Sequence, residues 1–301
     1  MTNSYTPPEP VGFIGLGNMG TPMAGLLADA GYGLVVADAS SAALERFTER
    51  FKCERPATLR ALGDKCRVVI TMLPDGGTVR DVLMRGDGVA RALQPGAVVI
   101  DMSSSSPVGT RKLATELAEL QISLVDAPVS GGVSRAQQGT LAIMGGGDAE
   151  VIERVRAILE VMGTVYLTGM QGSGHAMKAL NNYLSAGTLT LTAEAILAGT
   201  RFGLEAQTMV DILNVSTGRS NSTEYKYPEF VLSRGFDSGF AMGLMAKDLR
   251  LALDVARASD SPSTLLQALS AVWDTAEQQL GPAADHTEVV KFLESLVEKK
   301  S

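Results

Sequence analysis

The chain has 301 residues, 45% hydrophobic and 20% charged, which is enough to bury cores for two ordinary domains and excludes a disordered chain. A net charge of −7 and the lack of any long basic run argue against a nucleic-acid partner. The two cysteines, Cys53 and Cys66, lack metal-ligand spacing and suit a reducing cytoplasm, while two histidines, His175 and His286, leave little for a zinc site or a Ser-His-Asp triad, so no metal is expected.

Residues 1–10 are polar and proline-rich and read as a flexible leader, without the apolar stretch of a signal peptide. Val11–Ile14 then reads as a buried strand, broken by Gly15-Leu16-Gly17-Asn18-Met19-Gly20. A helical pattern follows at once from Thr21. In a dinucleotide site Gly15 makes the tight turn, Gly17 lets backbone approach a pyrophosphate, and Gly20 lets the helix pack on the strand. The next apolar run, Leu34–Ala37, ends in Asp38, about 20 residues past the glycines, where a ribose hydroxyl needs an acceptor. Asp38 followed by Ala39-Ser40-Ser41, with no arginine for a 2′-phosphate, predicts NAD in preference to NADP.

Ser40 or Ser41 can cap a helix running to about Phe51. Val68–Leu73 is a buried strand stopped by Pro74; Asp75-Gly76-Gly77 is a loop, and Thr78 can cap a helix to Met84. Ala97–Ile100 is a strand leading into Ser103-Ser104-Ser105-Ser106-Pro107 and a helix to about Leu120. Leu124–Asp126, Leu141–Met144, a helix from Ala149 to Met162 and a strand near Val165–Leu167 complete the series. Such alternation predicts a doubly wound parallel sheet, an α/β Rossmann domain over residues 11–170. Ligands of such sheets sit at the carboxyl ends of the strands.

After Gly172-Ser173-Gly174 the pattern becomes wholly helical, giving an all-α domain over 171–301. It is entered through a long helix over 175–202, followed by candidates at Ala206–Val215, Phe240–Ala258, Ser263–Gln279 and Thr287–Lys299. No apolar run approaches the roughly 18 residues a membrane span needs, so no membrane partner is expected.

Three stretches offer chemistry. Lys178, Asn181 and Asn182, at i, i+3 and i+4, share one face of the long helix, flanked by Gly174 and Ser185. That face is either functional or a solvated or interdomain polar stripe. Asp126-Ala127-Pro128-Val129-Ser130-Gly131-Gly132 ends a strand in a hydroxyl and two glycine amides, either a small-anion nest or a plain loop. Lys247-Asp248 is by itself an ordinary helix-surface pair.

Together these motifs resemble the β-hydroxyacid dehydrogenase family, which includes 3-hydroxyisobutyrate dehydrogenases and tartronate semialdehyde (2-hydroxy-3-oxopropionate) reductases. The likeness runs from Val11 to about Lys291 and rests on Gly15–Gly20, Asp126–Gly132 with Gly139-Thr140-Leu141, Gly172–Asn182, and Lys247-Asp248, in family order. It implies hydride transfer between a nicotinamide cofactor and a small carboxylate bearing a hydroxyl or aldehyde. Lys178 would be the general acid/base, Asn181 and Asn182 would hold the substrate, and Ser130, Gly131 and Gly132 would bind its carboxylate. Leu73, Pro74, Thr78 and Ser104 would line the nucleotide, with Lys247 as a further contact. Homodimers or homotetramers are implied through the helical domain. Imine reductases look similar but generally lack the lysine at position 178, and the helical domain is much shorter than in 6-phosphogluconate dehydrogenases. A non-catalytic dinucleotide-binding scaffold is the alternative from another class. Arg219, in the stretch Thr217–Ser222, is a candidate contact for a second polar group of the substrate.

Overall fold

The structure is a computed structural model and describes residues 4–298. The chain divides into two compact units, Met1–Lys178 and Ala179–Ser301.

In the first unit strands and helices alternate: β1 (Pro10–Ile14), α1 (Gly20–Asp29), β2 (Gly33–Ala37), α2 (Ser41–Thr48), β3 (Cys53–Glu54), α3 (Leu59–Gly63), β4 (Val68–Thr71), α4 (Gly76–Met84), β5 (Val98–Asp101), α5 (Pro107–Ala118) and β6 (Ser123–Asp126). Then come β7 (Val129–Ser130), α6 (Gly132–Gln138), β8 (Leu141–Gly146), α7 (Ala149–Glu160), β9 (Gly163–Gly169) and the start of α8 (Ser173–Phe202). The sheet order is β3-β2-β1-β4-β5-β6-β8-β7, with β9 beside β8. The order reverses between β1 and β4, which opens a ligand crevice at their carboxyl ends.

Both sheet faces are buried, as the unbroken apolar strands require. In β4, Val68 and Ile70 join a cluster with Phe13, Met23 and Leu27, while Val69 points the other way onto Leu83, Leu113 and Leu117. The sheet is mostly parallel, as the alternation predicted, with one exception. β8 runs antiparallel to β6 and β7, because the break at Pro128–Gly132 sends the chain back through the short α6.

Residues 5–10 are not a loose leader. Tyr5 is buried; its N–H donates to the Arg154 carbonyl and its hydroxyl accepts from the Arg154 guanidinium at 2.7 Å. Asp75, and not Thr78, caps α4: its carboxylate accepts the Thr78 N–H at 2.8 Å, and the helix starts at Gly76.

The second unit is helical throughout its described residues: the rest of α8, α9 (Ala206–Asn214), a π-helix (Ser222–Leu232), α10 (Met242–Ala258), α11 (Thr264–Leu280), a 3-10 turn (His286–Glu288) and α12 (Val289–Glu298). Its core gathers Leu189, Tyr227, Met245, Leu249 and Trp273, whose indole N–H donates to Thr190 at 3.0 Å. The π-helix escaped the sequence pattern because it carries Pro228 and many aromatics, and its hydrogen bonding does not follow a 3.6-residue repeat. Among the described residues no helix is long and apolar enough to cross a membrane.

Candidate active site

The glycine loop leaves β1 at the crevice. Gly15 has φ +103°, and a Cβ there would lie 2.2 Å from the Met72 carbonyl oxygen. At Gly20 a Cβ would lie 1.8 Å from the Gly15 carbonyl oxygen, so the helix closes tightly on the strand. At Gly17 a Cβ would meet nothing within 4 Å. Leu16 is buried, Gly17 and Asn18 are exposed, and no side chain caps α1, whose N-cap is Met19. An exposed glycine facing open space before an uncapped helix start suits an approaching pyrophosphate. Asp38 is held just past β2: Oδ2 accepts the Leu16 N–H at 2.6 Å and Oδ1 the Ser40 N–H at 2.7 Å. Each oxygen keeps a lone pair for a ribose hydroxyl. These residues fit a dinucleotide.

The loops after β4 and β5 are joined. The Leu73 N–H donates to Ser103 Oγ at 2.9 Å. Asp101, buried at the end of β5, accepts the Thr71 and Ser105 hydroxyls and the Ser103 N–H. Pro74 is exposed; Leu73, Thr78 and Ser104 are half-buried, and the Thr78 hydroxyl donates to Asp75 at 3.1 Å.

Past β6, Ser130 pairs with Ala142 in β8, and Gly131 and Gly132 follow with φ of +138° and +68°. Side chains resist such backbone, and both glycines are exposed. Asp126 reaches the start of α8. Its Oδ1 accepts the Gly172 N–H at 2.8 Å and the Gln171 amide at 3.0 Å; its Oδ2 accepts the His175 N–H at 3.0 Å. Half-buried Lys178 follows His175 by three residues. The first turn of α8 is bonded to the sheet, and the first compact unit runs to Lys178.

Further along α8, Asn182 is buried and donates to Asp248 Oδ2 at 2.6 Å, and Asn181 donates to Asn182 Oδ1 at 3.1 Å. Asp248 is thus no surface residue; it is 1% exposed, with Lys247 Nζ 3.7 Å from its other oxygen. Arg219 is exposed and pairs with Glu224 at 2.8 Å. Among the described residues no cluster of three His, Cys, Asp or Glu side chains could hold a metal ion.

Residues 10–172 match the family model described as the NAD binding domain of 6-phosphogluconate dehydrogenase, and residues 172–293 match that described as NAD-binding of NADP-dependent 3-hydroxyisobutyrate dehydrogenase. The 2-(hydroxymethyl)glutarate dehydrogenase of Eubacterium barkeri is 37% identical over 290 residues, 95% of each chain. The chain belongs to the β-hydroxyacid dehydrogenase family. The 2-hydroxy-3-oxopropionate reductase of Escherichia coli is 34% identical, over 96% of this chain and 99% of its own. The Mycobacterium tuberculosis 3-hydroxyisobutyrate dehydrogenase, solved with L-serine, superposes with a TM-score of 0.87 at 31% identity, over 95% of this chain and 99% of its own. An imine reductase from Myxococcus stipitatus, at 21% identity and a TM-score of 0.63 over 95% and 99% of the two chains, shares the fold. This β-hydroxyacid dehydrogenase is accordingly an NAD(P)-dependent oxidoreductase acting on small hydroxy acids.

Four residues of this dehydrogenase were not singled out in the sequence for the roles they play: Asp101, Asp126, His175 and Asp248. Two of the acids left a trace. Asp101 and Asp126 end apolar strands, and an acid in an apolar run signals a buried carboxylate with assigned donors. His175 left none beyond its place after Gly174.

The helical unit also buries a lysine and a histidine. Lys226 lies on the π-helix, donates to Ser185 Oγ at 2.7 Å, and is lowered by burial from 10.5 to about 8. Burial, and then the Lys226 charge, lower His286 from 6.5 to about 4. Between those two values the unfolded chain binds more protons at His286 than the folded one. Stability should therefore fall as pH drops from 6.5 towards 4, by at most on the order of 3 kcal/mol, and this contribution should level off below 4. Thermal unfolding from pH 4 to 7 checks this, with His286→Gln expected to flatten the acid slope.

Proposed function

We propose that the enzyme interconverts a small 3-hydroxy carboxylic acid and its semialdehyde, using NAD in preference to NADP, with Lys178 as general acid/base. The observation that carries this is the place of Lys178. It lies one turn beyond His175, whose amide is bonded to Asp126 at the carboxyl end of β6, the sheet edge where ligands of this fold bind.

A bound nicotinamide would supply the hydride acceptor or donor for the hydroxyl-bearing carbon. Gly15–Gly20 and Asp38 hold the dinucleotide, Leu73, Pro74, Thr78 and Ser104 line it, and Lys247 adds a contact. Ser130 Oγ with the Gly131 and Gly132 amides takes the substrate carboxylate, and Asn181 and Asn182 orient the hydroxyl end. In oxidation the neutral Lys178 amine takes the hydroxyl proton; in reduction its ammonium returns it. 2-Hydroxy-3-oxopropionate and 3-hydroxyisobutyrate are the first substrates to test. L-Serine and 2-(hydroxymethyl)glutarate belong in the same panel, because one similar protein was solved with the former and another is named for the latter.

The Asp38 carboxylate supports NAD, since a 2′-phosphate there would meet like charge with no arginine in Ala39-Ser40-Ser41. The kcat/KM for NAD should exceed that for NADP by 10-fold or more, about 1.4 kcal/mol; a preference for NADP overturns the role of Asp38. Turnover with any panel member also rules out a non-catalytic scaffold, whereas activity confined to cyclic imines favours the imine reductase alternative.

A homodimer or homotetramer is part of the proposal. Leu180, Leu184 and Leu191 form an exposed apolar stripe on α8, up to 66% exposed, which suits burial against a second copy. Sedimentation at micromolar concentration tests it, and a monomer rejects it. The unpaired thiols Cys53 and Cys66 support a reducing compartment, the cytoplasm.

A further inference from the structure

A lysine that passes a proton must be held in one place. The start of α8 is fastened from outside itself. Ser173, at the first position, turns its hydroxyl to Thr168 at 2.7 Å, and the free amides of Gly172 and His175 go to the fully buried Asp126.

The His175 side chain makes a second fastening. It is 1% exposed, with Nδ1 2.8 Å from Thr110 Oγ1 and Nε2 3.1 Å from the Ser103 carbonyl oxygen. A carbonyl only accepts, so Nε2 carries a proton. The Ser103 hydroxyl in turn accepts the Leu73 N–H. Asp101 Oδ2 lies 3.6 Å from Nε2, and Asp126 Oδ2 lies 4.0 Å from Nδ1. One set of hydrogen bonds thus links the loop after β4, the ends of β5 and β6, and the helix turn just before Lys178. Helix packing alone does not call for two buried carboxylates and an imidazole, which are costly to desolvate.

We propose that His175 and Asp126 are positioning residues for Lys178: they lock the first turn of α8 to the carboxyl ends of β5 and β6, so that the lysine amine meets the substrate hydroxyl in a single geometry. This rests on Lys178 being the general acid/base. Misplacement of a reacting group by about 1 Å lowers turnover by up to about 10²-fold.

The test compares His175→Leu, His175→Gln and Thr110→Val with the wild type, using NAD and the best substrate of the panel. It reads kcat, KM, NADH affinity by fluorescence, and Tm. His175→Leu should lower kcat by about 10- to 100-fold while KM and NADH affinity change only a few-fold. His175→Gln, whose amide can still donate to the Ser103 carbonyl, should recover most of that loss. Thr110→Val, which keeps the imidazole and removes one partner, should show a smaller fall in kcat; it carries the test if His175→Leu does not fold, and wild-type kcat there overturns the proposal. Unchanged kcat at a lowered Tm makes the network purely structural and overturns it. So does a parallel loss of NADH affinity, which assigns the network to the cofactor loop. A wild-type protein that turns over no member of the panel fails at the prior step, and the functional reading falls together with this proposal.

Discussion

Lys178→Ala is expected to lower kcat by about 10² to 10⁴, the span removed with a general acid/base. NADH affinity should change little, because the proposed function assigns the dinucleotide to the glycine loop and Asp38. Lys178→Arg should not rescue turnover, since a guanidinium does not release its proton in the working range and its planar fork differs in shape from an ammonium. Oxidation needs the neutral amine and should rise with pH; reduction needs the ammonium and should favour lower pH. Measuring kcat with NADH binding for Lys178→Ala decides the matter. Near-wild-type kcat removes Lys178 from the mechanism, and loss of folding makes it structural.

Gly20→Ala and Gly17→Ala should part company, although both alter the same loop. At position 20 the new methyl would sit 1.8 Å from the Gly15 carbonyl oxygen and 3.3 Å from Phe13, and backbone cannot yield as a flexible side chain does. Overpacking of this kind costs about 1–3 kcal/mol or more, so Gly20→Ala should unfold at a clearly lower temperature. At position 17 the methyl meets no protein atom within 4 Å. Gly17→Ala should fold with near-wild-type Tm and weaken NADH binding by about 10-fold or more, 1.4 kcal/mol. Thermal melts with fluorescence titration separate the two cases. Wild-type NADH affinity in Gly17→Ala would mean that the pyrophosphate does not approach there.

Much of the architecture was legible because it depends on local pattern. Short apolar runs such as Val68–Ile70 and Val98–Ile100, bounded by turn residues, read as strands buried on both faces, and the glycine-loop spacing leads from β1 directly into α1. The long helix was visible from its composition, and the structure extends it to Ser173–Phe202. The π-helix was not visible, because Pro228 and the aromatics around it carry no periodic signal.

The sequence by itself also singled out the candidate side chains for chemistry: Asp38 without a following arginine, Ser130 with two glycines, and Lys178 on a helix face with Asn181 and Asn182. It could not tell which polar residues hold those groups in place. Asp126 and His175 are 49 positions apart, and Asn182 and Asp248 are 66 apart. No local pattern links residues at such separation; they meet because the strand ends and the helices bring them together. Buried carboxylates must find donors wherever the fold supplies them, and here the donors lie on other elements. Only the tertiary structure therefore turned Lys247-Asp248 from a surface pair into the anchor of Asn182, and assigned the start of α8 to the sheet.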